Sequence, residues 1–443
     1  MVFKRKIYDK LLAWKQESKG ETALLIEGAR RVGKSTIVEE FAKNEYESYI
    51  LIDFFLASPE TRALFDDLSD LNYIFLQLQL QYHVSLVERR SLIIFDEVQL
   101  CPKARSAIKA LVKDGRYDYI ETGSLISIRK NVKNILIPSE ERKLTMFPMD
   151  YEEFKWVIGD TVTVPLLRKI FTERQVAGQE THRRLMRDYR LYMLIGGMPQ
   201  AVKSYMETND FRKVDQAKRD ILTLYKDDLW KIDPSGKLSS LFDAIPAQLM
   251  GNASRYKVSS VLSGSRASDI LKQISELESS KTVLLAYHVN DPNVGMAANK
   301  DLERFKMFVN DTGLFTTLAF KDKDFTENEI YTRLLSDKLQ ANLGYLYENM
   351  VAQTLAANGH ELYYHTFLNE ASKHNYEIDF LISERNKMSP IEVKSSGYKT
   401  HPSIDAFGKK YSSRIQNRYL IYTKDYQKDR GIECFPIYMA QFL

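Results

Sequence analysis

Residues 28–35 read GARRVGKS, and Gly28, Gly33, Lys34 and Ser35 fill the four fixed positions of a phosphate-binding loop, G-x-x-x-x-G-K-[ST]. The glycines let the backbone turn tightly and point its N–H groups at an anion, and the helix that follows adds its positive dipole end. Lys34 is a point charge for the outer phosphates, and the Ser35 hydroxyl is a ligand for Mg²⁺. The phosphate-contacting stretch is therefore expected to be Gly28, Ala29, Arg30, Arg31, Val32, Gly33, Lys34, Ser35 and Thr36. Its flanks agree: TALLIEG is a short apolar strand, and TIVEEFAKN carries Ile37, Val38, Phe41 and Ala42 at helical spacing. Such a loop needs a carboxylate from a neighbouring strand, and LIIFDE, residues 92–97, supplies two. Four apolar residues in a row predict a strand buried on both faces. Asp96 at its end is placed to hold Mg²⁺ through water, and Glu97 to polarise an attacking water.

A second group of residues near the C-terminus has a different chemistry. In EIDFL, Glu377 and Asp379 alternate with Ile378 and Phe380; in PIEVKS, Glu392 and Lys394 alternate with Ile391 and Val393. Two adjacent strands thus present acids, and one adds a lysine, from otherwise apolar segments. Asp379 and Glu392 could share a divalent metal, Lys394 could position or activate a water, and Glu348 on the preceding helix could complete the cluster. The pattern D…E-x-K, in the order helix, strand, strand, strand, resembles that of the PD-(D/E)xK nucleases. The competing reading is a solvent-facing sheet edge whose charges pair with one another.

Several elements must position these groups. Residues 1–20 read as an amphipathic helix with Ile7, Leu11, Leu12 and Trp14 on one side. ESYILIDF, YDYIETGSL and ERKLT read as further strands, alternating with helices at LNYIFLQLQLQYHV and ARSAIKALVKD. That alternation predicts a parallel sheet with helices on both faces. Arg142 is expected just before the last of these strands. In residues 165–235 the pattern is helical, broken by Gly196-Gly197 and Pro199 in LYMLIGGMPQAV, which marks a kink or a close backbone approach. Residues 238–318 give helices followed by the strands TVLLAYHV and FKMFVND, a winged-helix order with Arg266–Ser279 as recognition helix and Arg266, Ser268 and Lys272 as DNA contacts. The expected fold class is α/β, with a parallel-sheet domain over 1–165, a helical region over 166–235, a winged helix over 236–330 and an α+β PD-(D/E)xK-like domain over 331–443.

Composition sets bounds on these readings. The chain has 443 residues, too many for one ordinary domain, with 44% hydrophobic and 28% charged residues, ordinary for a globular protein. A net charge of +4 does not by itself indicate nucleic acid, so any DNA-binding surface has to be local. Cys101 and Cys434 match no metal or redox spacing. The N-terminus is charged throughout and no apolar run reaches the length of a membrane span, so the expected location is cytoplasmic, away from membranes.

Over nearly its full length the chain resembles a family of bacterial and archaeal AAA-type ATP-binding proteins that join a P-loop ATPase to a winged helix and a PD-(D/E)xK-like domain. The resemblance rests on IEGARRVGKST, LIIFDEVQ, ETGSL, FPMDYEEF, IGGMPQAV, FVNDTGLF, GYLYENMVAQTLAANG, EIDFLI and IEVKSS. It implies ATP and Mg²⁺ as ligands. It also implies a γ-phosphate sensor at the end of the YDYIETGSL strand, Ser124 in preference to Thr122; Arg142, from its place by the next strand, is a candidate for a phosphate in its own or a neighbouring subunit, against the plain reading of a solvated arginine. The resulting expectation is an ATPase coupled to a DNA-interacting C-terminal domain, with nucleolysis as one outcome. The alternatives are an ATP-dependent switch with an inactive, partner-docking nuclease-like domain, and a sequence-specific DNA-binding regulator. Assembly into a homo-oligomer stays open.

Overall fold

The computed structural model describes residues 2–123, 139–251, 254–322, 335–336, 344–369, 373–395 and 400–443. The chain divides into two compact units, Met1–Phe147 with Ser279–Lys281, and Pro148–Glu278 with Thr282–Leu443.

The first unit is built on five parallel strands, β1 Ala23–Glu27, β2 Ser48–Asp53, β3 Ser91–Asp96, β4 Asp118–Gly123 and β5 Glu141–Thr145, in the order β2-β3-β4-β1-β5. The apolar runs seen in the sequence are apolar on both faces. Leu24, Ile26, Leu92 and Ile94 join the core on one side, under helices Ile7–Ser18 and Lys34–Glu45, while Ala23, Leu25, Ile93 and Phe95 join the core on the other, under Leu71–Tyr82 and Pro102–Asp114. β4 lies between β1 and β3, so the phosphate loop and the Asp96 carboxylate flank the end of β4. Arg105 and Glu141, both buried, form a two-pronged ion pair at 3.1 and 3.0 Å, and burial together with Glu141 pushes the fully buried Glu121 carboxyl well above its usual range.

Arg142 lies within β5 rather than before it, beside Leu24 of β1, and pairs with Glu17 at 3.0 Å. In a parallel sheet that register sets it toward the strand starts, whereas the loop follows the strand ends. The position does not support contact with a phosphate in its own loop.

The second unit carries an eight-stranded mixed sheet in the order β12-β13-β11-β10-β9-β8-β6-β7. Its strands are β6 Val283–Val289, β7 Lys300–Val309, β8 Leu362–Leu368, β9 Asn375–Glu384, β10 Lys387–Val393, β11 Tyr419–Tyr422, β12 Gln427–Asp429 and β13 Ile432–Pro436. This corrects the winged-helix expectation. TVLLAYHV and FKMFVND do pair as an antiparallel hairpin, but β6 also pairs in parallel with β8, so both strands belong to the C-terminal sheet. The reason is legible in β6 itself: it is buried along nearly its whole length, as an interior strand is and a two-stranded wing is not. YKVSSVLSG forms only the short 3₁₀ turn Val258–Ser260, and the expected recognition helix is the 3₁₀ turn Ala267–Ile270 followed by Leu271–Ser279. Arg266 and Ser268 are exposed, and Lys272 pairs with Glu276 at 4.0 Å.

The boundary at 165 moves as well. From Pro148 onward, PMDYEEF packs into the second unit: Met149 N–H donates to the Gly197 carbonyl at 2.7 Å, and the Tyr192 hydroxyl donates to the Met149 carbonyl at 2.7 Å. Gly196-Gly197 ends the helix Gln179–Ile195 at a crowded junction. A side chain on Gly197 would lie 2.0 Å from the Met149 carbonyl, and one on Gly313 would lie 2.5 Å from that of Ile195. The buried Asp311 carboxylate accepts from Gly197 N–H at 2.6 Å and caps the helix Thr312–Ala319 through Leu314 N–H at 2.8 Å. Asn349 and Gln353, on the buried helix Gly344–Ala357, bond to Val309 and Thr312 on the same junction.

Candidate functional site

In the first unit the phosphate loop runs from the end of β1 to the start of helix Lys34–Glu45. Gly33 has φ 101° and Arg31 φ 67°, left-handed steps that turn successive N–H groups toward one centre. Gly28 has no room for a side chain, since a Cβ there would lie 2.4 Å from the Met146 carbonyl. The buried Lys34 ammonium donates to the Gly28 and Ala29 carbonyls at 3.1 and 3.0 Å. Burial lowers its pKa, against the pull of Glu97 and Asp96. Arg30 is half-buried, while Arg31 and Thr36 are exposed. Ala29 and Val32 are fully buried and anchor the loop from below.

Two hydroxyls meet at Asp96. The Ser35 hydroxyl donates to Asp96 Oδ1 at 2.7 Å, and the Thr122 hydroxyl from the end of β4 donates to the same oxygen. A hydroxyl and a carboxylate side by side at a helix N-terminus suit the oxygen preference of Mg²⁺, so the residues present fit that ion. Glu97 has φ 52°, a left-handed conformation that costs a non-glycine residue about 1–3 kcal/mol and recurs at functional sites. Gln99 donates to Glu97 Oε2 and holds the carboxylate. Ser124, the preferred sensor, lies outside the described residues, and Thr122 is the hydroxyl residue of that strand seen at Asp96.

Sequence reasoning did not pick out Arg5. Its guanidinium donates to the Val32 carbonyl at 3.0 Å and the Phe147 carbonyl at 2.6 Å, bracing the loop from outside. No motif marks such a residue, because its partners are backbone atoms remote in sequence.

In the second unit β9 and β10 pair antiparallel with Phe380 opposite Ile391, and the next step of that register sets Asp379 opposite Glu392. The backbone register brings Asp379 and Glu392 together, with Lys394 paired to Glu392, but the carboxylates that lie within metal-binding distance of one another are a different set. Asp379 Oδ2 accepts from Val393 N–H at 2.7 Å, Lys394 Nζ lies 2.6 Å from Glu392 Oε1, and Glu348 projects from helix Gly344–Ala357. Carboxylate oxygens of Glu348, Glu377 and Asp379 all lie within 4.8 Å of one another, a set whose chemistry suits Mg²⁺ or Mn²⁺. Glu377 thus stands where Glu392 was expected as a metal ligand.

Lys306 of β7 is the residue the sequence reading missed. Its ammonium contacts Glu348 Oε1 at 2.6 Å and Glu377 Oε1 more closely still, with Asp379 Oδ1 at 4.0 Å. A lysine inside the apolar run FKMFV was the available signal. Burial pushes Glu348 up to about 7 despite Lys306, and burial likewise raises Glu377 and Glu392. Burial works against the charge on Lys394, but Glu392 and Asp379 outweigh it and raise its pKa.

Residues 20–155 match the model of an AAA domain. With the loop geometry above, the first unit is a P-loop domain of AAA type. Residues 186–324 and 343–440 match two domains of unknown function, DUF8612 and DUF4143. No curated protein matches the chain. Among solved structures, the chain is similar to a Walker-type ATPase of Pyrococcus abyssi, at 15% identity and a TM-score of 0.43, over 72% of this chain and 96% of that one. It is also similar to the ORC1 protein of Aeropyrum pernix, solved in complex with DNA, at 12% identity and TM-score 0.27 over 76% and 95% of the two chains. A third is Cdc6p of Pyrobaculum aerophilum, at 11% identity and TM-score 0.25 over 74% and 92%. Likeness at this level carries no conclusion about function. Among the described residues, no helix is long and apolar enough to cross a membrane.

Proposed function

We propose that the chain binds and hydrolyses ATP with Mg²⁺ in its first unit and couples that cycle to a DNA-interacting, nucleolytic C-terminal domain. The observation that carries the first half is the convergence of Lys34, Ser35, Thr122, Asp96 and Glu97 at the ends of β1, β3 and β4. Lys34 exchanges the Gly28 and Ala29 carbonyls for phosphate oxygens when the nucleotide enters. Ser35 and Asp96 would hold Mg²⁺, which supplies charge neutralisation on the phosphates. Glu97, fixed through one oxygen by Gln99, uses the other to orient and deprotonate a water. Thr122 keeps Asp96 in place.

The second half rests on the D…E-x-K residues lying in one cluster, with Asp379 across from Glu392 and Lys394 on the same group. Asp379, with Glu348 and Glu377 beside it, would hold a divalent ion, and Lys394, held by Glu392, would position a water beside a phosphodiester. The switch reading, in which this domain docks a partner and cuts nothing, is favoured by one observation: the Lys306 ammonium lies among the carboxylates. One experiment tests both halves, ATP turnover with and without duplex, branched and single-stranded DNA, followed by electrophoresis of the DNA. Turnover with cleavage supports the full proposal, turnover with intact DNA supports the switch, and no turnover refutes both.

A further inference from the structure

The cluster around Lys306 has the geometry of a filled cation site. Three carboxylates from two elements, Glu348 on helix Gly344–Ala357 and Glu377 and Asp379 on β9, bring oxygens within 4.8 Å of one another. The Lys306 ammonium stands among those oxygens, in contact with two and 4.0 Å from the third. Its path is built into the sheet. Lys306 rises from β7, its neighbour across β6 is the small Ala286, and its ammonium lies 5.6 Å from the ring of Tyr364 on β8. Two further groups adjoin the cluster, Tyr364 through its ring and Glu392 through its place opposite Asp379. The Tyr364 hydroxyl and Glu392 Oε2 are buried and have no hydrogen-bond partner among the described residues. A buried polar atom left in that state costs about 1–3 kcal/mol, so it marks a place where another polar group or ligand belongs.

We propose that Lys306 is a built-in cation for this carboxylate cluster, standing where a divalent ion would bind, so that Mg²⁺ or Mn²⁺ enters only when the lysine is displaced. The choice of ion rests on the PD-(D/E)xK-like reading of the site; the occupancy by lysine does not. A buried lysine offsets part of the charge of the acids without demanding the oxygen coordination that a divalent ion requires. Removing it leaves like charges facing one another, an arrangement that a divalent cation relieves.

The test is Mn²⁺ binding to the full chain without nucleotide, read by electron paramagnetic resonance of the free ion. Lys306→Met is expected to gain one Mn²⁺ site about tenfold or more tighter than any at the wild-type cluster, and to lose it again in the double variant with Asp379→Asn. Lys306→Arg, which keeps the charge, should gain none. Equal Mn²⁺ affinity in wild type and Lys306→Met overturns the proposal. Thermal unfolding of wild type provides an arm that does not depend on the variant folding. A rise in midpoint at micromolar Mn²⁺ that disappears in Asp379→Asn would mean that metal already binds beside Lys306, and would overturn it too; no such rise supports it. A Lys306→Met protein that takes up Mn²⁺ but cuts no DNA supports the inference and counts against the nucleolytic reading, so the two fail separately.

Discussion

At the scale of single residues, the proposed ATPase divides binding and chemistry in the first unit between different side chains. Lys34 is buried against the Gly28 and Ala29 carbonyls and poised for phosphate, so Lys34→Ala should abolish ATP binding or turnover, as measured by nucleotide titration and phosphate release. Glu97→Gln keeps the shape and the contact with Gln99 but loses the charge that orients water. It should bind ATP normally and hydrolyse it about 10³-fold more slowly. A normal rate in Glu97→Gln would move the general base elsewhere. In the second unit, Asp379→Ala and Lys394→Ala should lose metal-dependent DNA cleavage while ATPase activity persists, as a paired gel and phosphate assay would report. The loop, Asp96 and Glu97 were legible because their types and spacing are dictated by phosphate chemistry. Asp379, Glu392 and Lys394 were legible because strand alternation places them on one face. Lys306 and Arg5 were not: each acts across the fold on groups far away in sequence, and a lone Lys or Arg has no spacing to betray it.

At the scale of elements, the parallel sheet followed from runs apolar on both faces, and the strand order brings Ser35 and Thr122 to Asp96. The β6–β7 hairpin was found as a hairpin and placed in the wrong company. Local pattern identifies two strands and a turn, but the partner of β6 on its other side is β8, which lies far along the chain. The Gly196-Gly197 break was expected to mark a close approach, and it does so at the junction of three segments. Gly197→Ala should destabilise the protein by about 3 kcal/mol, because Met149 is tied to Gly197 by its own backbone hydrogen bond and cannot withdraw from the added methyl. Gly344→Ala, whose methyl would meet only the Ser395 hydroxyl at 3.9 Å among the described residues, should change stability little. Urea unfolding midpoints of the two variants make the comparison, and equal midpoints would show that the junction is looser than its contacts indicate.

At the scale of the molecule, the phosphate loop and the carboxylate cluster belong to separate compact units, so either chemistry could exist without the other. The central claim is that they are coupled through an ATPase cycle that responds to DNA. The modest net charge of +4 makes that response a property of local surface, to be lost at raised salt. The most direct measurement is Mg²⁺-dependent ATP turnover by the full chain as duplex DNA is titrated in. The account predicts turnover that rises with DNA and is absent in Lys34→Ala at every DNA concentration; no turnover, turnover indifferent to DNA, or turnover that survives Lys34→Ala would contradict it.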